Sequence, residues 1–273
     1  MASVREPAVA GRFYPGDAAK LRADVASYLS SQKTPQEERV RAIGCIAPHA
    51  GYIYSGRVAG AVFSRLDIPP SCIVLCPNHT GFGRPLAIMK EGAWRTPLGN
   101  IPIDSELAGK LLQAFPALVE DSAAHRSEHA IEVELPFLQF IRPEVKFVPI
   151  AVGTGQPLLL ENLGEAVATV VAASKQPVLI IASSDMNHYE DDSMTRMKDR
   201  KAIDQILALD PGGLYETVIN ESISMCGFGP TVAMLTAAKR LGAQKAELVQ
   251  YATSGDVSGD RETVVGYAGI IVR

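Results

Sequence analysis

The sequence predicts one α/β domain over residues 1–273, with a central mixed, mostly parallel sheet that is flanked by helices. Short apolar runs alternate along the chain with longer segments of helical periodicity. Strands of a parallel sheet are covered on both faces and therefore read as unbroken apolar runs. No long linker or low-complexity segment divides the 273 residues, a length that one large domain accommodates.

Four apolar runs are predicted to form the centre of the sheet, at residues 42–47, 71–76, 145–152 and 177–182. Pro48 and Pro77 directly follow the first two runs, and proline ends a hydrogen-bond ladder because it has no N–H. A short strand is expected at 85–89 and two closing strands at 246–251 and 264–272, while 94–99 is expected to be a loop or hairpin.

Helices are predicted between these strands, at residues 18–31, 56–66, 104–115, 157–173, 193–209, 213–219 and 230–241. Ser55 is expected to be the N-cap of the second of these, since a serine side chain can accept a backbone N–H of the first turn. Another helix is expected around His129, Glu132 and Val133, which follow the i, i+3, i+4 spacing of one helix face. Pro136 is expected to kink or shorten it.

Composition and charge limit the classes of function. The hydrophobic fraction of 47% and the charged fraction of 21% are ordinary for a globular protein. Lysine and arginine number 26 against 30 aspartates and glutamates, and this net charge of −4 argues against nucleic acid as the main partner. No apolar run reaches the roughly 18 residues of a membrane helix, and the first residues lack the apolar core of a signal peptide. A cytoplasmic protein without a membrane partner is therefore expected.

Side chains capable of chemistry follow the predicted strands at the points where the strands end. His49 follows the first run, His79 the second, and Asp185 and His188 the fourth. In open α/β sheets, ligands bind in the crevice beyond the carboxyl ends of the strands. Cys226, on a glycine-flexed loop, is expected to join them. Two neutral imidazoles with an anionic third ligand are typical of a divalent transition metal; a set with open positions suits Fe(II), and Zn(II) accepts the same ligands.

Simpler interpretations stay open for several of these residues. Asp185 could be the N-cap of the following helix, and Cys226 could be a small buried hydrophobe. His125 is expected to cap a helix or to pair with a neighbouring carboxylate. Cys45 and Cys72 lie inside apolar runs and are expected to be core residues.

Several common motifs are absent from the sequence. His125 and His129 stand four residues apart, like the histidine pair of a zinc peptidase, but Arg126 occupies the place of the general-base glutamate. There is no Walker loop, no G-x-S-x-G elbow and no G-x-G-x-x-G fingerprint. The common metallopeptidase, phosphate-binding, esterase and dinucleotide-binding classes are therefore not indicated.

Six segments of the chain resemble the Memo family, whose name comes from a mediator of cell motility. They are Ala-Pro-His-Ala-Gly-Tyr-Ile-Tyr-Ser-Gly (47–56), Pro-Asn-His (77–79), Arg-Thr-Pro-Leu-Gly (95–99), Glu-His-Ala-Ile-Glu-Val-Glu-Leu-Pro-Phe-Leu (128–138), Ser-Ser-Asp-Met-Asn-His (183–188) and Cys-Gly-Phe-Gly-Pro (226–230). They span nearly the whole chain in collinear order. The resemblance implies a fold similar to that of the class III extradiol, LigB-like, ring-cleaving dioxygenases.

The resemblance implies a metal site formed by His49, His79 and Cys226. It places Asp185 and His188 in the same pocket as catalytic residues, with His188 where a LigB-like enzyme keeps an acid/base histidine. Cys226 offers a thiolate where such a dioxygenase has a carboxylate.

The resemblance also implies residues and partners outside the metal site. Tyr54, His129 and Glu132 match family positions near the cleft and are expected to bind substrate. Prokaryotic members are often associated with a radical-SAM protein and an AMMECR-type domain, so proteins of these two kinds are the implied partners.

The favoured hypothesis is a Memo-like, non-haem metalloprotein with a redox or dioxygenase-like activity on an unknown small molecule. Its cofactor is expected to be a divalent metal ion, with Fe(II) favoured and Zn(II) or Cu as alternatives. One rival is a zinc-type hydrolase that uses the same ligands. The other is a non-enzymatic module whose pocket binds a small molecule or a peptide.

Overall fold

The computed structural model describes residues 3–30 and 39–273; residue 31, the last of the first predicted helix, lies outside them. The strands are β1 (Val4–Arg5), β2 (Gly44–Ala47), β3 (Ser71–Pro77), β4 (Leu86–Ile88), β5 (Ala93–Thr96), β6 (Gly99–Pro102), β7 (Val119–Glu120), β8 (Lys146–Val152), β9 (Val178–Ser183), β10 (His188–Glu190), β11 (Ala246–Thr253) and β12 (Val264–Val272). The helices are α1 (Ala18–Ser30), α2 (Tyr52–Ser64), α3 (Ser105–Ala114), α4 (Ala130–Ile141), α5 (Pro157–Ala172), α6 (Asp192–Leu207), α7 (Pro211–Asn220), α8 (Phe228–Arg240) and α9 (Gly255–Ser258).

The centre of the main sheet is parallel, as the sequence predicts. β2, β9, β3 and β8 lie side by side in this order, each parallel to its neighbour. The edges are antiparallel: β12 pairs with β2 and also with β10 and β11, and β4 pairs with β8. β7 continues the sheet beyond β4 in parallel pairing. The predicted mixed sheet is therefore confirmed, with its parallel strands confined to the centre and to the β4–β7 edge.

A second, smaller sheet is built on a hairpin. β5 and β6 pair antiparallel over the segment that the sequence predicts as a loop or hairpin, and β1 pairs parallel with β5. Trp94 on β5 is fully buried and stacks under the guanidinium of Arg5, which lies 4.1 Å from its ring centroid. This sheet brings the N-terminal residues beside the segment that precedes α4.

The central strands are apolar throughout because helices cover both of their faces. Along β3, Ile73 and Leu75 face a core that contains residues of α3, α5, α6, α7 and α8. Cys72, Val74 and Cys76 face the opposite core, which contains residues of α1, α2 and α4. The alternation follows from the two-residue period of a strand. The cysteines on this face are fully buried core residues, as expected for Cys72.

α2 begins one turn earlier than the sequence predicts. Its N-cap is Gly51, and the expected N-cap at Ser55 is wrong, because Ser55 lies within the first turn and its hydroxyl donates to the Ala50 carbonyl at 2.9 Å. The backbone N–H of Tyr52 donates instead to the Phe13 carbonyl at 2.8 Å. A distant segment of the chain therefore satisfies a donor that a side-chain cap would otherwise bind.

α4 continues past Pro136 to Ile141, so the expected shortening of this helix is wrong. Every residue from Ala130 to Gln139 is buried. Contacts on all sides of the helix stabilise it against the loss of the one hydrogen bond that proline removes.

Aspartates cap three of the helices. Asp104 begins α3, Asp191 begins α6 and Asp210 begins α7, and each accepts a backbone N–H of the first turn. Asp185 does not cap α6, because β10 lies between them, so that interpretation of Asp185 is wrong. Within residues 3–30 and 39–273, the structure contains no helix with the length and apolar character that a membrane span requires.

The contact between α5 and α8 depends on Gly164. A Cβ at this position would lie 2.5 Å from the carbonyl oxygen of Ala233 and 2.6 Å from Thr236 Cβ. We expect Gly164→Ala to lower the free energy of unfolding by about 1–2 kcal/mol net, because overpacking against a backbone carbonyl costs about 2–3 kcal/mol. This cost outweighs the gain of about 1 kcal/mol that alanine brings to a helix interior. Urea denaturation measures the difference.

Gly109→Ala in α3 is the matched control. A Cβ there meets only Lys90 Cε, at 3.9 Å, so this substitution is expected to stabilise the protein by about 0.5–1 kcal/mol. Equal stabilisation of both variants would show that the close approach of α5 and α8 does not need the glycine.

Candidate metal centre

The strand-end residues meet in one cavity of about 560 Å³. β2, β9 and β3 are parallel and in register, with Ala47 opposite Ser183, so the residues that follow these strands emerge at the same edge of the sheet. The cavity is lined by Phe13, His49, Ala50, Gly51, His79, His129, Asp185, His188, Tyr189, Ser224, Cys226, Val265 and Tyr267. The structure thus brings together the predicted ligands, the predicted catalytic pair and one predicted substrate-binding residue, His129.

Three imidazoles converge in this cavity. One donor atom each from His49, His79 and His129 forms a group in which all the atoms lie within 4.8 Å of one another. The rings of His79 and His129 are nearly parallel, with centroids 4.7 Å apart, and His49 stands edge-on to both, at 5.2 and 5.4 Å. Three imidazole donors in a partly open cavity fit a divalent transition-metal ion.

Cys226 lies beside this group. Its Sγ is 3.4 Å from His49 Nε2 and accepts the backbone N–H of Asp185 at 3.3 Å. Gly227 lets the loop approach β9, since a Cβ there would lie 2.4 Å from Ser184 Cβ. Burial, together with the charge of Asp185, raises the pKa of the Cys226 thiol, so the metal-free protein holds it protonated. The third donor of the compact group is His129, whereas the sequence analysis expected Cys226 as the third ligand.

Glu128 holds two of the three histidines, and the sequence analysis missed it. One carboxylate oxygen accepts the backbone N–H of His79 at 2.6 Å. The other accepts His79 Nδ1 at 2.9 Å and the backbone N–H groups of His129 and Ala130 at 2.8 and 3.0 Å. A carboxylate only accepts, so His79 carries its hydrogen on Nδ1 and leaves Nε2 for a ligand. The position of Glu128 directly before His129 is the one feature of the sequence that could have indicated this role.

Glu128 and His79 shift each other's pKa in opposite directions. Burial raises the pKa of Glu128, but the hydrogen bonds and charge of His79 outweigh burial and the net pKa is lowered. Burial lowers the pKa of His79, and here the Glu128 carboxylate outweighs it, so the net pKa is raised. The His49 ring has no carboxylate partner among the described residues. Burial and the neighbouring histidines lower its pKa, and it is neutral.

Asp185 and His188 line the same cavity. Asp185 accepts the backbone N–H of His49 at 2.8 Å, and burial raises its pKa to about 7. His188 Nδ1 lies 2.8 Å from the Ser224 carbonyl, which can only accept, so the hydrogen is on Nδ1 and Nε2 is unprotonated. Burial lowers the pKa of His188, which keeps the ring neutral. A neutral imidazole with a free Nε2 is suited to accept a proton.

Comparison with known proteins identifies the family. A family profile described as "Memo-like protein" matches residues 5–271. The chain belongs to the Memo family. A MEMO1 family protein of Methanopyrus kandleri is 43% identical over 279 residues, covering 98% of this chain and 99% of the relative. Another, from Methanosarcina barkeri, is 44% identical over 273 residues, covering 99% of this chain and all of the relative. The family resemblance of the sequence segments is confirmed.

A solved structure shares the fold. An uncharacterized protein from Escherichia coli K12 superposes with a TM-score of 0.60, covering 85% of this chain and all of that one. The two sequences are 14% identical, so the likeness concerns the fold alone.

Two Memo-family positions that were expected to bind substrate lie outside the cavity lining. Tyr54 is in the first turn of α2 and is 39% exposed. Glu132 is fully buried and its carboxylate faces the N-terminal segment. It pairs with the guanidinium of Arg5 and accepts the Tyr14 hydroxyl at 2.6 Å, together with two backbone N–H groups of residues 8 and 9. The position of Glu132 supports a role in holding this segment, and its predicted substrate contact has no support here.

His125 is a neutral core residue. Burial lowers its pKa to about 4, and its ring lies 5.8 Å from that of Trp94. Neither ring nitrogen hydrogen-bonds to a carboxylate of the described residues, so the expected pairing is wrong. The backbone of His125 binds the N-terminal segment, since its carbonyl accepts a hydrogen bond from Arg5 Nε at 2.8 Å.

A buried hydrogen-bond network holds the residues that contact His188. Ser224 donates its backbone N–H and its hydroxyl to Asn187 Oδ1, both at 3.0 Å. The Asn187 backbone N–H donates to Asp199 at 2.8 Å, and the Tyr251 hydroxyl donates to the other Asp199 oxygen at 2.6 Å. Asp199 is fully buried, and burial raises its pKa to about 7. Asp199 lies in the helix that the sequence predicts at residues 193–209, and the sequence analysis assigned it no role.

The raised pKa of Asp199 makes stability depend on pH. The unfolded chain releases this proton near pH 4, whereas the folded protein holds it until about pH 7. The folded form thus binds more protons within this window, and stability falls as the pH rises through it. In Asp199→Asn this contribution is absent. We expect the free energy of unfolding of Asp199→Asn, relative to wild type, to increase from pH 5 to pH 7 and then to level off.

Urea denaturation of both proteins at a series of pH values measures this difference. Other buried groups titrate equally in both, so their contributions cancel. A difference that is constant or decreases with pH would contradict the raised pKa.

Proposed function

We propose that this Memo family protein binds a divalent transition-metal ion, with Fe(II) favoured, in the strand-end cavity and carries out a redox or dioxygenase-like reaction on a small molecule there. The convergence of the His49, His79 and His129 imidazoles within 4.8 Å carries this proposal. His49 is buried, His129 is half-buried and His79 is exposed. The structure shows no hydrogen bond among these three imidazoles within the described residues, and metal binding explains why they approach so closely.

The donor set fits such an ion. Metal ligands of this kind must be neutral imidazoles, and burial keeps His49 neutral. His79 has its Nδ1 fixed by a protein acceptor, an arrangement that orients Nε2 and raises the basicity of the ligand. Cys226 adds a sulfur that an adjacent divalent ion would deprotonate. Imidazole with open positions suits iron and copper as well as zinc.

The remaining residues would bind the substrate and move protons. Phe13, Tyr189, Val265 and Tyr267 line the cavity and offer apolar surface to a substrate. The unprotonated Nε2 of His188 can accept a proton, and Asp185, with a pKa of about 7, can hold or release one near neutral pH. The ion, when bound, would polarise the substrate or take part in electron transfer.

A zinc-type hydrolase is the second candidate, and one observation favours it. Three imidazoles with an open position are the ligand set of several catalytic zinc sites, and the compact group here consists of three imidazoles. Elemental analysis of protein purified without oxygen separates the candidates. Tightly held Fe(II) that consumes O₂ supports the proposal, zinc with hydrolysis supports the alternative, and ligand binding without turnover supports a binding module.

We expect Cys226→Ser to lower metal occupancy strongly, because serine lacks the thiolate that a divalent ion would bind. Cys72→Ser is the matched control: it is fully buried in β3, so it is expected to keep the metal and to lose stability through its buried hydroxyl. The measurement is the metal-to-protein ratio after loading with Fe(II) or Zn(II). Full occupancy in Cys226→Ser, with loss in His129→Ala, would make His129 the third ligand.

We expect His188→Ala to alter turnover or ligand binding while changing the free energy of unfolding by no more than about 0.5 kcal/mol. His188 lies at the cavity surface, and its network continues through the Ser224–Asn187 hydrogen bonds without its ring. Urea denaturation and metal content are measured beside activity. A cooperative loss of folding in this variant would show that His188 is a structural residue.

A further inference from the structure

The hydroxyl of Ser183 is a junction of three contacts behind the metal centre. Ser183 is the last residue of β9 and is fully buried. Its Oγ lies 2.9 Å from His49 Nδ1, 2.9 Å from the carbonyl oxygen of Ala130 and 3.1 Å from Glu134 Oε1. The side chain of Glu134 reaches this point from α4.

If each of the three contacts is a hydrogen bond, counting hydrogens fixes the protonation states around this junction. A hydroxyl has one hydrogen to donate and two lone pairs that accept. A carbonyl has no hydrogen, so the contact with Ala130 must use the one hydrogen of Ser183. The two remaining contacts must then be donated to Oγ. His49 can donate only from Nδ1–H, and Glu134 can donate only if its carboxyl group is protonated.

The surroundings of Glu134 agree with a neutral acid. Its side chain is fully buried, and its second oxygen, Oε2, has no hydrogen-bond partner among the described residues. Burial, and to a lesser degree the charge of Asp185, raises the pKa of Glu134. Within residues 3–30 and 39–273 no cation forms an ion pair with it. An ionised carboxylate here would be an uncompensated buried charge, whereas a protonated carboxyl leaves only one unpartnered carbonyl oxygen.

We propose that Glu134 and Ser183 are positioning residues for His49. A buried, protonated Glu134 donates to the Ser183 hydroxyl, and this hydroxyl accepts from His49 and so keeps the imidazole hydrogen of His49 on Nδ1. Nε2 of His49, 3.4 Å from Cys226 Sγ, is then unprotonated and aimed at the cavity before any ion arrives. The functional part of this inference rests on the proposed metal site; the protonation states do not.

This arrangement gives the two strand-end histidines different electronic character. His79 donates to the ionised carboxylate of Glu128, which makes its ring more basic. His49 donates to a neutral hydroxyl that is itself hydrogen-bonded to a neutral acid, so its ring stays weakly basic. An ionised Glu134 would remove this difference, since it would attract the Ser183 hydrogen and leave the Ala130 carbonyl without it.

The protonation states can be read in the metal-free protein. Infrared difference spectroscopy of wild type against Glu134→Gln is expected to show a protonated-carboxyl C=O band that the variant lacks. The glutamine amide can donate to Ser183 as the acid does, so the variant is expected to fold. Nitrogen NMR of the five histidines, with His49 assigned by His49→Asn, is expected to show its hydrogen on Nδ1. Absence of the band, or a hydrogen on Nε2 of His49, would overturn the proposal; the NMR result stands even if Glu134→Gln does not fold.

Zinc binding tests the positioning role. Ser183→Ala removes the acceptor of His49 Nδ1 and is expected to weaken Zn(II) binding about 10- to 100-fold, as for other residues that support a metal ligand. Ser71→Ala is the matched control, because Ser71 is a buried serine at the opposite end of the sheet that is hydrogen-bonded to Asp104. It is expected to bind zinc as wild type does.

Chelator competition with Zn(II) measures both affinities, and circular dichroism confirms folding. Wild-type affinity in Ser183→Ala would overturn the positioning role. If wild type itself binds neither zinc nor iron, the proposed function fails, while the protonation states of Glu134 and His49 are decided separately by the two spectra.

Discussion

The parallel, in-register pairing of β2, β9 and β3 is the constraint on which the site depends. Parallel strands that share a register end at the same edge, so the residues that follow them are brought close together without long connections. Pro48 and Pro77 stand at the ends of two of these strands, and the chain turns from rigid backbone directly into His49 and His79. A core that is buried on both faces therefore fixes the positions of the two histidines. Because they are already ordered, binding at the site costs little conformational entropy.

One short segment contains three buried glutamates that are stabilised in three different ways. Glu128 is ionised because four hydrogen bonds from nitrogen atoms converge on it. Glu132 is compensated by the guanidinium of Arg5. Within residues 3–30 and 39–273, Glu134 has neither kind of partner, and we infer that it is neutral. Within seven residues, the same residue type thus orients ligands, holds the N-terminal segment and supports a hydroxyl. Spacing along the chain does not reveal which partner each carboxyl meets.

The sequence predicts much of the fold and part of the site. Apolar runs locate the central strands because both faces are covered, and the polar residues at their ends locate the cavity because parallel strands end together. The start of α2, the burial of Glu132 and the role of Glu128 depend on partners that are distant in sequence. The carbonyl of Phe13 receives the Tyr52 N–H, and Arg5 lies 127 residues from Glu132. Such contacts leave no local pattern in the sequence, and neither does the support of His188 by Asp199.

The attachment of the N-terminal segment to Glu132 has a consequence for the order of assembly. Arg5 leaves the ribosome well over a hundred residues before its partners, the carbonyls of His125 and Glu128 and the carboxylate of Glu132. During synthesis its guanidinium and the backbone N–H groups of residues 8 and 9 remain in water until α4 has emerged. Arg5 and residues 8 and 9 thus reach their final contacts only after α4 has been made.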